Sequence, residues 1–77
     1  MKAEEMFKKE GYKKIHKESE IIYRYVLDED MYKENISFDT INHKITFYSI
    51  SCFEPTETVL DVSVLKAVQK QIEELGW

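Results

Sequence analysis

The chain has 77 residues, 34% of them charged, a net charge of −4, two glycines, one proline and one cysteine. That length fits a single domain, 1–77, and one cysteine excludes an internal disulfide framework or a zinc site built on paired cysteines. No apolar run approaches the ~20 residues of a membrane span, the start Met1-Lys2-Ala3-Glu4-Glu5 has no apolar leader core, and 43% apolar with 13% aromatic residues is too rich for disorder. A small soluble globular domain with no membrane contact is expected.

The first segment predicts a short helix. Ala3, Met6, Phe7 and Glu10 follow helical spacing, with Met6 and Phe7 as the buried pair. Glu4 and Glu5 in the first turn and Lys8 and Lys9 in the last complement the helix dipole. Gly11 supplies the left-handed residue of a C-terminal cap, and Tyr12 can fold back on Phe7.

Residues 12–17 then alternate weakly, which predicts a strand near a sheet edge where lysines discourage pairing with other sheets. Residues 21–27 (IIYRYVL) give the strongest strand signal. Ile21, Tyr23, Tyr25 and Leu27 are assigned to the core face and Ile22, Arg24 and Val26 to the other, because an unpaired arginine is costly to bury. A polar stretch reaches Asn35, residues 36–39 form a short strand, and 40–43 form the turn of a hairpin. The return strand, 44–53, has Ile45, Phe47 and Ser49 on one face and Thr46, Tyr48, Ile50 and Cys52 on the other. Both faces are partly apolar, which suits a central strand or a sheet whose second face meets something. Residues 58–60 can add a further short strand.

A helix is predicted from Val62 to Leu75, with Asp61 as a side-chain N-cap. Leu65, Val68, Ile72 and Leu75 form its apolar stripe, widened by Val64 and Ala67. Gly76 caps it and Trp77 can fold back on Ile72, the device already used at Gly11. Glu73 and Glu74 sit at the unfavourable end of the helix dipole. The whole order, α-β-β-β-(β)-α, predicts a two-layer α+β fold: an antiparallel sheet of three to four strands with the N- and C-terminal helices on one face.

No pattern of residues carries chemistry. Cys52 with His16 or His43 is the only thiol arrangement and lacks a positioning motif, so a small core thiol is the expected role. Asp28, Glu29 and Asp30 lack the glycine and ligand spacing of a calcium loop and read as an acidic turn. Both glycines serve helix ends, which leaves none for a phosphate loop. No catalytic residue, metal or cofactor is expected, and the protein reads as a non-enzyme.

Two surfaces remain. Helices on one face of a sheet leave the other showing Ile22, Val26, Tyr48 and Ile50, a patch of the kind that meets a partner. Either the loop 53–60 folds over it or a protein partner covers it, a homodimer being the favoured form. The second surface follows from charge: residues 1–17 carry +3 and residues 18–77 carry −7. Lys8, Lys9, Lys13, Lys14 and Lys17, with Tyr23, Tyr25, Phe47 and Tyr48 as a stacking platform, would make a weak single-stranded nucleic-acid binder. The acidic body and the lack of lysines among those aromatics argue against it.

The segments AEEMFKK with Gly11-Tyr12, and LKAVQKQIEELGW at the end, resemble a group of short phage and prophage proteins of Gram-positive bacteria with no assigned function. The likeness extends loosely over Ile36-Ser37-Phe38-Asp39 and the hairpin that follows. It implies an intracellular phage-encoded accessory protein and transfers no catalytic residue. A non-enzymatic protein-interaction module is the function expected.

Overall fold

The computed structural model describes residues 1–28, 32–51 and 60–77. Helix α1 (Ala3–Lys9) leads into strands β1 (Lys13–His16), β2 (Glu20–Asp28), β3 (Tyr32–Asp39) and β4 (Lys44–Ser51), and helix α2 (Val62–Leu75) closes the chain. The strands form one antiparallel sheet in the order β1-β2-β3-β4, and both helices pack on the same face, giving the expected two-layer α+β fold.

The core is an aromatic cluster with aliphatic surroundings. Phe7 of α1 stacks on Tyr23 of β2, ring centroids 3.8 Å apart, and Phe38 of β3 meets both rings edge-on at 6.4 and 6.0 Å. Ala3, Ile21, Ile36, Val64, Ala67 and Val68 enclose them. Each fully buried ring or branched side chain contributes roughly 1.5–3 kcal/mol by leaving water. Met6, expected beside Phe7 in the core, is only partly buried; Ala3 takes the inner position one turn earlier.

Both helix ends are Schellman caps. Tyr12 N–H donates to Phe7 C=O at 2.9 Å and Gly11 N–H to Lys8 C=O at 3.0 Å. Trp77 N–H donates to Ile72 C=O at 3.2 Å and Gly76 N–H to Glu73 C=O at 3.0 Å. Gly11 and Gly76 hold φ of 89° and 76°, where a side chain is strained. The Trp77 ring lies on the hairpin end, 6.3 Å from Phe38 and stacked on His43 at 4.8 Å.

Several expectations need correction. Leu27 is 60% exposed rather than core, because the register slips between Val26 and Asp28 and leaves Leu27 opposite no residue, a β-bulge. Strand β3 begins at Tyr32, not Ile36; its polar half, Lys33-Glu34-Asn35, pairs fully with Tyr25 to Val26 and Arg24 on β2. Strand β4 is an edge of the sheet of described residues rather than a central strand. Asp61 stands at the N-cap of α2 without a side-chain cap bond, and its backbone carbonyl serves Val64 and Leu65 instead. The buried face of α2 runs through Val64, Ala67, Val68 and Gln71, so Leu65 is exposed. Cys52, Glu29, Asp30, Thr58 and Val59 lie outside the described residues, as does most of the loop 53–60; Leu60 is described and belongs to no strand.

Candidate functional site

Cross-strand pairing maps the sheet face opposite the helices. One row runs Lys13–Arg24–Asn35–Tyr48 across all four strands. The neighbouring row is Val26–Lys33–Ile50, and on the other side lies Ile15–Ile22–Ser37–Thr46. The four residues expected on a partner face therefore do share one face. Val26 is 40% exposed, Tyr48 36% and Ile50 51%. Ile22 is not available to a partner: it is 2% exposed, flanked by Ile15 on β1 and Ser37 on β3.

A shallow cleft of about 290 Å³ opens on this face, lined by Lys13, Ile15, Arg24, Val26 and Lys33. Three strands supply its walls. Lys13 stands directly opposite Arg24, and Lys33 lies diagonally from Arg24, two positions from its partner Asn35. Like charges directly opposite in a sheet are destabilising. The ion pairs Lys14–Glu4 at 3.2 Å and Lys70–Glu73 at 3.7 Å involve none of the three.

Asn35 sharpens the local chemistry. Arg24 Nε donates to Asn35 Oδ1 at 2.7 Å. Arginine has only donors, so the oxygen of the amide must face it and the NH2 group turns away. That Nδ2 is buried and has no hydrogen-bond partner among the described residues. An unsatisfied buried donor costs about 1–3 kcal/mol.

The opposite end of the face has its acidic groups in use. Glu20 Oε1 accepts from Ser37 Oγ at 3.3 Å. Asp39 lies opposite Lys44 and accepts from Ile41 N–H, Asn42 N–H and Asn42 Nδ2 at 2.9, 3.0 and 3.0 Å. These bonds, the Asn42 side chain first, hold the Asp39 carboxyl below its usual pKa. They also fix the hairpin turn, which ends on His43 in the left-handed region at φ 55°.

The nucleic-acid surface expected from the sequence is dispersed. Tyr23 is 1% exposed in the core, its O–H donating to Gln71 Oε1 at 2.5 Å, and burial drives its pKa upward. Tyr25 is half-buried against Tyr12 on the helix side, ring centroids 5.5 Å apart, and Phe47 lies on that side too. Only Tyr48 faces the open side. Lys13 and Lys14 point to opposite faces, since they are adjacent in β1. Lys8, Lys13 and Lys14 border a second cleft with Glu4 and Tyr12, while Lys9 and Lys17 stand exposed outside its lining.

A third cleft, lined by Glu10, Tyr12, Tyr25, Glu34, Asp61 and Val64, is acidic. Burial, then the charges of Glu34 and Asp61, push the Tyr12 phenol up to about 12. Among the described residues, no group of three His, Cys, Asp or Glu side chains could hold a metal ion, and no helix is long and apolar enough to cross a membrane. His43, one of the two histidines considered beside Cys52, has its ring stacked on Trp77.

No family model, curated protein or solved structure matches the chain. Sequence reasoning placed Arg24 on the outer face but missed its grouping with Lys13 and Lys33. The three are distant along the chain and only the register of β1, β2 and β3 brings them together.

Proposed function

We propose that the protein is a non-enzymatic interaction module that works by contact through the open face of its sheet. The observation that carries this reading is the joint exposure of Val26, Tyr48 and Ile50 on that face, beside a cleft that the strands themselves build. Apolar side chains grouped on one face and rimmed by polar ones are the usual composition of a protein contact surface. The resemblance of both chain ends to short phage and prophage proteins supports an accessory role in a host cytoplasm. The nucleic-acid alternative has less support: it loses Tyr23 to the core, and Lys9 and Lys17 stand apart from the cleft that Lys8, Lys13 and Lys14 border.

Site-specific photocrosslinking in cells that produce the protein tests the reading. A crosslinker at Val26 or Ile50 should give a discrete protein adduct. One at Gln69, exposed on α2, should give none. Adducts from all three positions, or from none, would overturn it.

A further inference from the structure

We propose that the cleft formed by Lys13, Ile15, Arg24, Val26 and Lys33 binds a carboxylate-bearing, partly apolar polypeptide segment of a partner protein. The inference rests on the open face being a protein contact surface and names the chemistry of what meets it.

Charge complementarity is the first argument. The chain is acidic overall, at −4, yet three cations gather here on adjacent strand positions. Lys13 opposes Arg24 in register, an arrangement that costs stability. A carboxylate from outside would turn a repulsive cluster into charge-assisted hydrogen bonds, with the Arg24 guanidinium well suited to hold one on its free edge. Asn35 orients the cation: its amide oxygen accepts from Arg24 Nε at 2.7 Å, which leaves the terminal guanidinium nitrogens to meet a carboxylate.

The apolar contribution decides between partner classes. Ile15 and Val26 line the cleft and Ile50 continues the Val26–Lys33 row, so apolar side chains alternate with the cations. A polypeptide with alternating carboxylate and aliphatic side chains matches that pattern. A nucleic-acid strand would need several outward aromatics to stack on, and here one, Tyr48, faces outward among the described residues of this face. A second copy of the chain is a poorer fit. On its open face, Asp39 is held by three hydrogen bonds in the hairpin turn and Glu20 already accepts from Ser37, so both carboxylates have competing partners.

The test uses the isotope-labelled full chain and an end-blocked octapeptide of alternating Glu and Val, with the Gln-Val octapeptide and oligo(dT) as comparison probes. Titration followed by amide NMR should move Lys13, Arg24, Val26 and Lys33 with the Glu-Val peptide. Its affinity should fall roughly tenfold on replacing Glu by Gln in the peptide, and again in Arg24→Gln, whose amide can still donate to Asn35. Lys33→Gln, at a half-buried position of the cleft, provides a second variant whose fold the same spectra verify. Equal binding of the Gln-Val peptide would overturn the inference while leaving the interaction surface intact. Tighter binding of oligo(dT) would overturn it in favour of nucleic acid. Self-association that protects the same amides, read by light scattering, would assign the face to a second copy instead. No response to any probe at millimolar concentration would also overturn it, and the photocrosslinking at Val26 and Ile50 then judges the broader reading separately.

Discussion

Glu74 Oε2 accepts the backbone N–H of Ala3 at 2.7 Å. The carboxylate sits near the C-terminus of α2, where the helix dipole disfavours it, yet it serves the N-terminus of α1, where the dipole favours it. Lys2 makes no side-chain cap bond at α1, so the opposite end of the chain performs that task. Replacing Glu74 by Ala should destabilise the fold by about 1–2 kcal/mol, the size of a lost N-cap. Glu74→Gln should fall between, because the amide oxygen still accepts without charge. Glu73→Ala, which loses only an exposed contact with Lys70, should change stability by less than about 0.5 kcal/mol. Urea titrations of the three variants check the order, and equal losses for Glu73 and Glu74 would refute it.

Tyr23 and Gln71 form the one buried side-chain hydrogen bond between sheet and α2 among the described residues. Tyr23→Phe leaves the Gln71 amide without its partner, and Gln71→Leu leaves the phenol without its acceptor; each should cost about 1–3 kcal/mol. The double variant removes both polar groups and should cost less than the sum of the singles by about 1 kcal/mol. Strict additivity in this double-mutant cycle would show the bond to be energetically idle.

The two cap glycines should respond unequally to alanine. Both hold positive φ, so each substitution carries the left-handed penalty of about 1–2 kcal/mol. A methyl group at Gly76 would meet open space, whereas one at Gly11 would lie 2.8 Å from Cε2 of Tyr25. Gly11→Ala should therefore lower the Tm further than Gly76→Ala, because the Tyr25 ring must leave its place against Tyr12. A larger loss at Gly76 in thermal melts would contradict this.

Alkaline pH should weaken the fold through Tyr12. Its phenol rises from 10.0 to about 12 in the folded protein, through burial first and then the charges of Glu34 and Asp61. A raised folded pKa means that the unfolded chain gives up its proton first. The stabilisation is complete below pH 10 and is lost as the pH rises towards 12. Urea midpoints measured across that interval should fall for the native chain and fall less for Tyr12→Phe. Tyr23, shifted in the same direction by burial, should keep part of the slope in that variant. An identical slope in both chains would exclude Tyr12 as a contributor.

Much of the fold was legible locally. Gly11 with Tyr12 and Gly76 with Trp77 mark both helix ends, since an i to i+5 cap is contained within six residues. The alternation around Ile21 to Tyr25 placed the core face of β2, and Thr40 to His43 gave the turn. What depended on distant partners was not legible. The polar half of β3 looks like a loop until β2 and β4 pair with it on both sides. Leu27 follows the strand period but falls on a bulge. Gln71 looks like a surface residue because its partner, Tyr23, lies 48 positions away. Of the four residues expected on the outer face of the sheet, Val26, Tyr48 and Ile50 are exposed there, and Ile22 is buried.

The charge count shows the same division. By itself the sequence determined a small acidic chain with a basic front, two capped helices and a sheet between them, because composition, period and cap chemistry are local properties. Only the tertiary structure decided where the cations meet. Register sets Lys13 opposite Arg24 and Lys33 on its diagonal. A shift of one residue in either pairing would send one of those side chains to the opposite face, since successive strand residues alternate.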